Sequence, residues 1–146
     1  MSAPVALITG AAKRVGASIA HCLHAAGFDL ALHHRHSGDQ MAALVAVLEA
    51  NRPRSTLVLQ AELADDTTPA RLVGETLARF GRLDALVNNA SSFQPTPVGS
   101  ATPAQWDALF AANARAPFSW PSPRRRRCRQ PVAASSTWRT STANAR

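Results

Sequence analysis

The sequence predicts an α/β fold: a doubly wound parallel sheet of four strands, ending after the fourth strand and the helix that follows it. Two observations predict it. Short apolar runs alternate with helical periodicities from residue 4 to residue 118, as parallel strands require, because each must be reached by a crossover helix. The first run also ends in a glycine-bearing turn, TGAAKRVG at 9–16, at the place where such sheets receive phosphates.

Taken in order, residues 4–9 (PVALIT) form the first strand, and 14–26 set Val15, Ile19, Cys22 and Leu23 at helical spacing before Gly27 stops the helix. A second strand occupies 28–33. A helix over 39–51 follows, with Met41, Leu44, Val45 and Leu48 on one face, then a strand at 55–60. The third helix, near 68–80, carries Leu72, Val73, Leu77 and Phe80, and the fourth strand spans 83–88. Thr102, Pro103 and Gln105 supply an N-cap, a proline at the first helical position and a capping-box partner, so a further helix starts there. Right-handed crossovers then give the spatial order 3-2-1-4. The fourth strand is expected to leave an apolar edge around Leu83, Ala85 and Val87.

Composition narrows the function classes. No apolar run reaches the roughly 20 residues of a membrane helix, and MSAPVALITG lacks a basic region ahead of an apolar core, so a cytoplasmic protein is expected. Cys22 and Cys128 have neither disulfide-framework nor metal-ligand spacing. The net charge of +7 suggests a nucleic-acid partner until it is located. Through Phe118, nine basic residues balance nine acidic ones; the surplus is Arg124, Arg125, Arg126, Arg127, Arg129, Arg139 and Arg146. No nucleic acid and no membrane are therefore expected as partners of the folded part.

In TGAAKRVG, Gly10 and Gly16 permit a tight turn and close backbone approach, and the following helix offers unpaired N–H groups to an anion. At the end of the second strand, LHHRHS (32–37) has no acid to receive ribose hydroxyls. Arg35, Ser37 and the flanking His34 and His36 instead offer donors suited to a 2′-phosphate, which points to NADPH. His33, His34 and His36 alternate faces on a strand end and lack a carboxylate companion, so no metal is expected.

These motifs, with NNASSF at 88–93 and PTP at 95–97, resemble the short-chain dehydrogenase/reductase family, and within it the pteridine reductase type. The resemblance covers residues 4–118 and implies a Rossmann-type sheet, an NADPH cofactor, a pterin substrate and a homo-oligomeric, tetrameric parent enzyme. Arg14 replaces the middle glycine of the family's TGxxxGxG, as in pteridine reductases. By resemblance, Gly10, Arg14, Val15 and Gly16 meet the cofactor phosphates, and Arg14 also meets the pterin. Asn88, Asn89 and Ala90 steady the sheet, with Asn89 and Ala90 against the cofactor. Ser91 touches cofactor and pterin, and Phe93 stacks on the pterin. Glu62 stands where the family has an adenine-contacting Asp, and Asn113 matches an asparagine that bends its helix and joins a proton relay.

The family's proton donor is a tyrosine in a Tyr-x-x-x-Lys pair. This chain has no tyrosine, and its one lysine is Lys13 in the phosphate turn. From Ser119 to Arg146 the texture changes to a basic run without strand or helix periodicity, and is expected to be disordered. The genetic code offers an account. A one-base slip near Phe118 lets Ser135-Ser136-Thr137-Trp138 restore to Ile-Val-Asn-Leu, and the next two positions to Ala and Asp. Under that reading the arginine run is alanine codons out of register. The parent reads as an NADPH-dependent reductase of pterins or dihydropterins, this chain being an inactive truncated form. A reductase of another carbonyl or imine, and a catalytically dead nucleotide-binding or interaction module, stay open beside it.

Overall fold

The computed structural model describes residues 2–121 of the 146. From residue 122 on, the expected basic tail lies outside the described residues. Strands β1 (Val5–Ile8), β2 (Asp29–His34), β3 (Thr56–Gln60) and β4 (Ala85–Val87) form one parallel sheet in the order β3-β2-β1-β4. That is the order expected from the crossover rules. Val5 pairs with Asp29, Leu30 with Thr56 and Ala6 with Ala85.

The strands alternate between two apolar layers, as the two-residue period of a strand requires. Ala6, Ile8, Leu30 and Leu32 pack under α1 (Arg14–Ala25) and α2 (Gly38–Asn51). Leu7, Ala31 and Leu59 pack under α3 (Thr68–Phe80). Met41, Leu44 and Leu48 of α2 are buried as the periodicity predicts. α1 is turned slightly from its predicted face: Ile19 and Leu23 pack against the core as expected, Val15 and Cys22 are exposed, and Gly16, Ala20 and His24 are the buried stripe. Small side chains at 16 and 20 let this helix lie closer to the sheet than its larger apolar residues would allow.

β4 is shorter than the predicted 83–88, because the residues before it do other work. Leu83 is buried in the second layer, and Ala85 and Val87 pack against the first, so the expected apolar edge is partly covered. Beyond β4, α4 (Pro103–Phe110) starts on the predicted capping box: Gln105 N–H donates to Thr102 Oγ1, and Thr102 N–H to Gln105 Oε1. A π-helical turn (Ala111–Arg115) carries it into α5 (Ala116–Phe118). The disorder expected from Ser119 does not begin there: Ser119 N–H donates to Arg115 O at 3.0 Å, and Trp120 packs against the second layer with its indole N–H donating to Asn88 Oδ1 at 2.7 Å.

Asp84 replaces the missing start of the β1–β4 ladder. Its Oδ2 accepts from Val5 N–H at 2.8 Å and from Arg82 Nε at 2.7 Å, and its Oδ1 accepts from Arg82 Nη2 at 2.6 Å. Burial alone would push this carboxyl up, but the Arg82 guanidinium and the Val5 N–H outweigh it and hold it below its ordinary value. A carboxyl depressed in the folded chain adds stability above its unfolded value near 4, lost as pH falls through the folded value. Asp84→Ala should thus cost about 1–3 kcal/mol at pH 7 and less at pH 3. Urea denaturation of both chains at the two pH values checks this; an equal cost at both would show that the carboxylate charge is not what holds β4.

Candidate functional site

The carboxyl ends of β1, β2 and β3 open into a cleft of about 620 Å³, at the switch point where β1 lies between strands reached in opposite directions. Three backbone segments meet at its floor. Thr9 Oγ1 accepts from Asn89 N–H and Ala90 N–H, both at 3.0 Å, and donates to Val87 O at 3.3 Å. Asn89 Nδ2 returns the contact to Thr9 O and Gly10 O, both at 3.0 Å. Gly10 (φ 63°) lies so close to this loop that a Cβ would stand 2.9 Å from Ala90 Cα. A Cβ at Gly16 would stand 2.2 Å from Gly10 O and 2.6 Å from Asn89 Nδ2.

Arg14 opens α1 with a left-handed backbone (φ 51°), the conformation for which the family pattern has glycine. Its guanidinium therefore stands in a place that glycine serves more cheaply for the backbone. The N-cap, Lys13, makes no side-chain cap and the first turn of α1 has no acidic residue, so the helix's first N–H groups face the cleft for an anion.

The β2 end supplies the second wall. Arg35 and His36 are exposed, Ser37 is half-buried, and His34 is 6% exposed with Nδ1 lacking any partner. Arg35 Nε pairs with Glu62 Oε2 at 2.6 Å, and Glu62 Oε1 accepts from Ala64 N–H at 3.1 Å. His33 is buried between two walls: Gly10 N–H donates to its Nδ1 at 3.3 Å, and its Nε2 lies 3.2 Å from Ala61 O. Burial, against the opposing pull of the Ala61 carbonyl, holds the His33 imidazole below its ordinary value.

Twelve of the residues singled out in the sequence line this one cleft: Gly10, Arg14, Val15, Gly16, His34, Arg35, His36, Ser37, Glu62, Asn89, Ala90 and Ser91. Phe93 and Asn113 do not. Phe93 is 84% exposed. Asn113 is exposed within the π-helical turn and holds the loop after β4 by two 2.8 Å bonds, from Ser92 N–H to its Oδ1 and from its Nδ2 to Ser92 O. Sequence reasoning gave no site role to Lys13 or His33, both of which line the cleft. The signal for His33 was a histidine where a covered strand calls for an apolar residue. Among the described residues no group of histidine, cysteine and carboxylate side chains is placed to hold a metal ion, and no helix is long and apolar enough to cross a membrane.

Residues 4–121 match the family described as short chain dehydrogenase. The chain is similar to pteridine reductase 1 of Leishmania tarentolae, at 44% identity over 66% of this chain and 39% of that protein. It is also similar to versicolorin reductase 1 of Aspergillus parasiticus, at 32% identity over 78% of this chain and 43% of that protein, and to the short-chain dehydrogenase/reductase eriH of Hericium erinaceus, at 33% identity over 78% and 46%. The chain spans less than half the length of these relatives.

The floor yields a direct test. Gly16→Ala forces a methyl into backbone and amide atoms and should cost about 1–3 kcal/mol. Gly74→Ala, in mid-helix with nothing within 4 Å of its Cβ, should add about 0.5–1 kcal/mol of stability. Thermal melts of the two variants check this, and equal melting temperatures would refute the close packing at the floor.

Proposed function

The chain belongs to the short-chain dehydrogenase family, its N-terminal portion being of the pteridine reductase type, and from that premise we propose that it is the nucleotide-binding part of an NADPH-dependent reductase of pterins or dihydropterins. The observation that carries the choice of cofactor is the end of β2. β2 ends without a carboxylate of its own for ribose hydroxyls, the neighbouring Glu62 being paired with Arg35, and Arg35, His36 and Ser37 line the cleft beside the unpartnered Nδ1 of buried His34. A polar atom buried at a cleft wall without a partner fits a site completed by a ligand. The Arg35–Glu62 pair is about half exposed on both sides and so holds Arg35 by about 0–1 kcal/mol. Arg35 is therefore held loosely enough to turn to a 2′-phosphate, which it would meet with charge-assisted bonds.

A nicotinamide cofactor supplies the hydride when bound. The residues of this chain then have separable tasks. Gly10 and Gly16 let the backbone approach the diphosphate, and the first turn of α1 with Arg14 meets its charge. Asn89 and Ala90 fix the wall beside the cofactor through Thr9. Asn113 holds the Ser92 backbone, and with it the loop that carries Ser91 and Phe93. The pterin reading rests on the turn TGAAKRVG, the string NNASSFQPTP and the similarity to a pteridine reductase. The similarity to versicolorin reductase favours a second reading, reduction of another carbonyl.

With no tyrosine in the sequence, the proton donor of the family is missing from this chain. We place the break in the reading frame near Phe118, with residues 119–146 out of register and the active parent cytoplasmic and tetrameric.

The chain should bind NADPH more tightly than NADH by calorimetry, and Arg35→Ala should weaken NADPH roughly ten-fold or more while leaving NADH within about two-fold. Equal affinities in the parent chain would overturn the role of Arg35. With NADPH and dihydropterin at saturation, this chain should show no absorbance loss at the reduced-nicotinamide band. A gene with one base removed or two added at the Phe118 codon, whichever restores the frame, should encode a protein that does. A restored frame lacking Tyr-x-x-x-Lys would end the frameshift reading.

A further inference from the structure

We propose that His33 is a positioning residue for the cofactor turn: its ring, neutral and protonated on Nε2, clamps the Gly10 turn to the end of β3, and protonation of Nδ1 releases that clamp. The proposal deepens the reading of the cleft as a nicotinamide-dinucleotide site and rests on it.

The hydrogen bonds assign the tautomer. Gly10 N–H is a donor only, so Nδ1, 3.3 Å away, must accept. Ala61 O is an acceptor only, so Nε2, 3.2 Å away, must carry the proton. One imidazole meets both demands in a single neutral form. His33 also offers its own carbonyl to Ala11 N–H at 2.9 Å, so both polar groups of this residue hold the turn that leads into α1. The side chain reaches the loops after both strands that flank β2.

Acid changes only one of these bonds. A proton on Nδ1 sets N–H against the Gly10 N–H, while the Nε2 bond to Ala61 O survives. The titratable and charged groups that act on the ring are His34 on β2, Glu62 after β3 and Arg71 on α3, and Lys13 and Arg14 line the same cleft. Arg71 offsets the one carboxylate, Glu62, and His33 is only 2% exposed, so little there welcomes a positive charge on the ring. Burial lowers the imidazole's ordinary value. The clamp is therefore complete above about pH 6.5 and is lost as pH falls through the folded value.

The test uses the full 146-residue chain and NADP+, which tolerates acid. Calorimetry from pH 8 to pH 5 compares it with His33→Asn, whose amide oxygen replaces the Nδ1 acceptor and does not titrate. Because both proteins keep His34, His36 and the titrating 2′-phosphate, these effects cancel in the ratio of affinities. The ratio should move by about five-fold in favour of the variant on going from pH 7.5 to pH 5, the worth of one net hydrogen bond. A ratio constant with pH would overturn the proposal. Nitrogen NMR of the ring in the cofactor-free chain should report the Nε2–H tautomer at pH 7.5, with the Gly10 amide shifting as Nδ1 titrates. An Nδ1–H tautomer would overturn the clamp even if NADP+ binds. The expected tautomer with no dinucleotide bound at any pH would uphold the clamp and sink the proposed function instead.

Discussion

Where β1 ends, the chain must turn beneath the loop that leaves β4, and the two backbones meet closer than side chains permit. Thr9 sits at the crossing with one hydroxyl serving three partners, and Asn89 answers with its amide on two carbonyls. The space that a Cβ at Gly16 would need is already taken by Gly10 O and Asn89 Nδ2. The start of α1 is thus fixed against the sheet by contacts among backbone atoms and one short polar network. Such a network is strong in a half-buried setting because every member is satisfied. The direction of α1 and the opening of its first turn to the cleft follow from that crossing, while the His33 bonds to Gly10 and Ala11 tie the turn to β2.

The same crossing explains what the sequence could and could not foretell. Period and turn chemistry located the helices within one or two residues and gave the strand order, because these depend on local pattern and chirality. The predicted face of α1 holds for Ile19 and Leu23, which pack against the core, and fails at Val15 and Cys22. Val15 and Cys22 look like core residues by periodicity, yet the crossing draws the Gly16 and Ala20 side inward and leaves them exposed. β4 shrank because Asp84 takes the Val5 N–H with its side chain, a choice visible only once Arg82 and β1 are beside it. The π-helical turn at Ala111–Arg115 was illegible as backbone, although Asn113 within it stood out. Its amide reads the Ser92 backbone like a strand partner, and such a bond depends on where the preceding loop lies.

Charge tells a related story about scale. Summed to Phe118 the chain is neutral, yet the cleft gathers Lys13, Arg14 and Arg35 around one carboxylate, Glu62. Composition averages this away. What would suit the proposed anion is the coincidence of those cations with the first turn of α1, whose N–H groups no capping side chain or first-turn acid meets. Arg14 shows the cost of that arrangement. It holds a left-handed backbone that glycine would adopt freely, a penalty of roughly 1–2 kcal/mol borne at the cleft. Strain of that kind is expected where a side chain is needed more than the easier backbone.

The two sides of the cleft differ in how firmly the described residues build them. The nucleotide side rests on the sheet itself: Gly10, His33, His34 and Ala61 lie at the ends of three hydrogen-bonded strands, and the two histidines are buried. The residues assigned to the substrate by resemblance rest on the loop after β4 instead. That loop is held by Asn113 through Ser92, while Phe93 next to it is 84% exposed and outside the cleft. An aromatic ring gains stacking energy only when its position is held. On the proposed function, the cofactor half of the site is fixed by strands and the substrate half hangs on one amide pair, so a dinucleotide would find its half built before the substrate face is formed. Under that proposal binding and turnover would be separable, carried by different kinds of backbone.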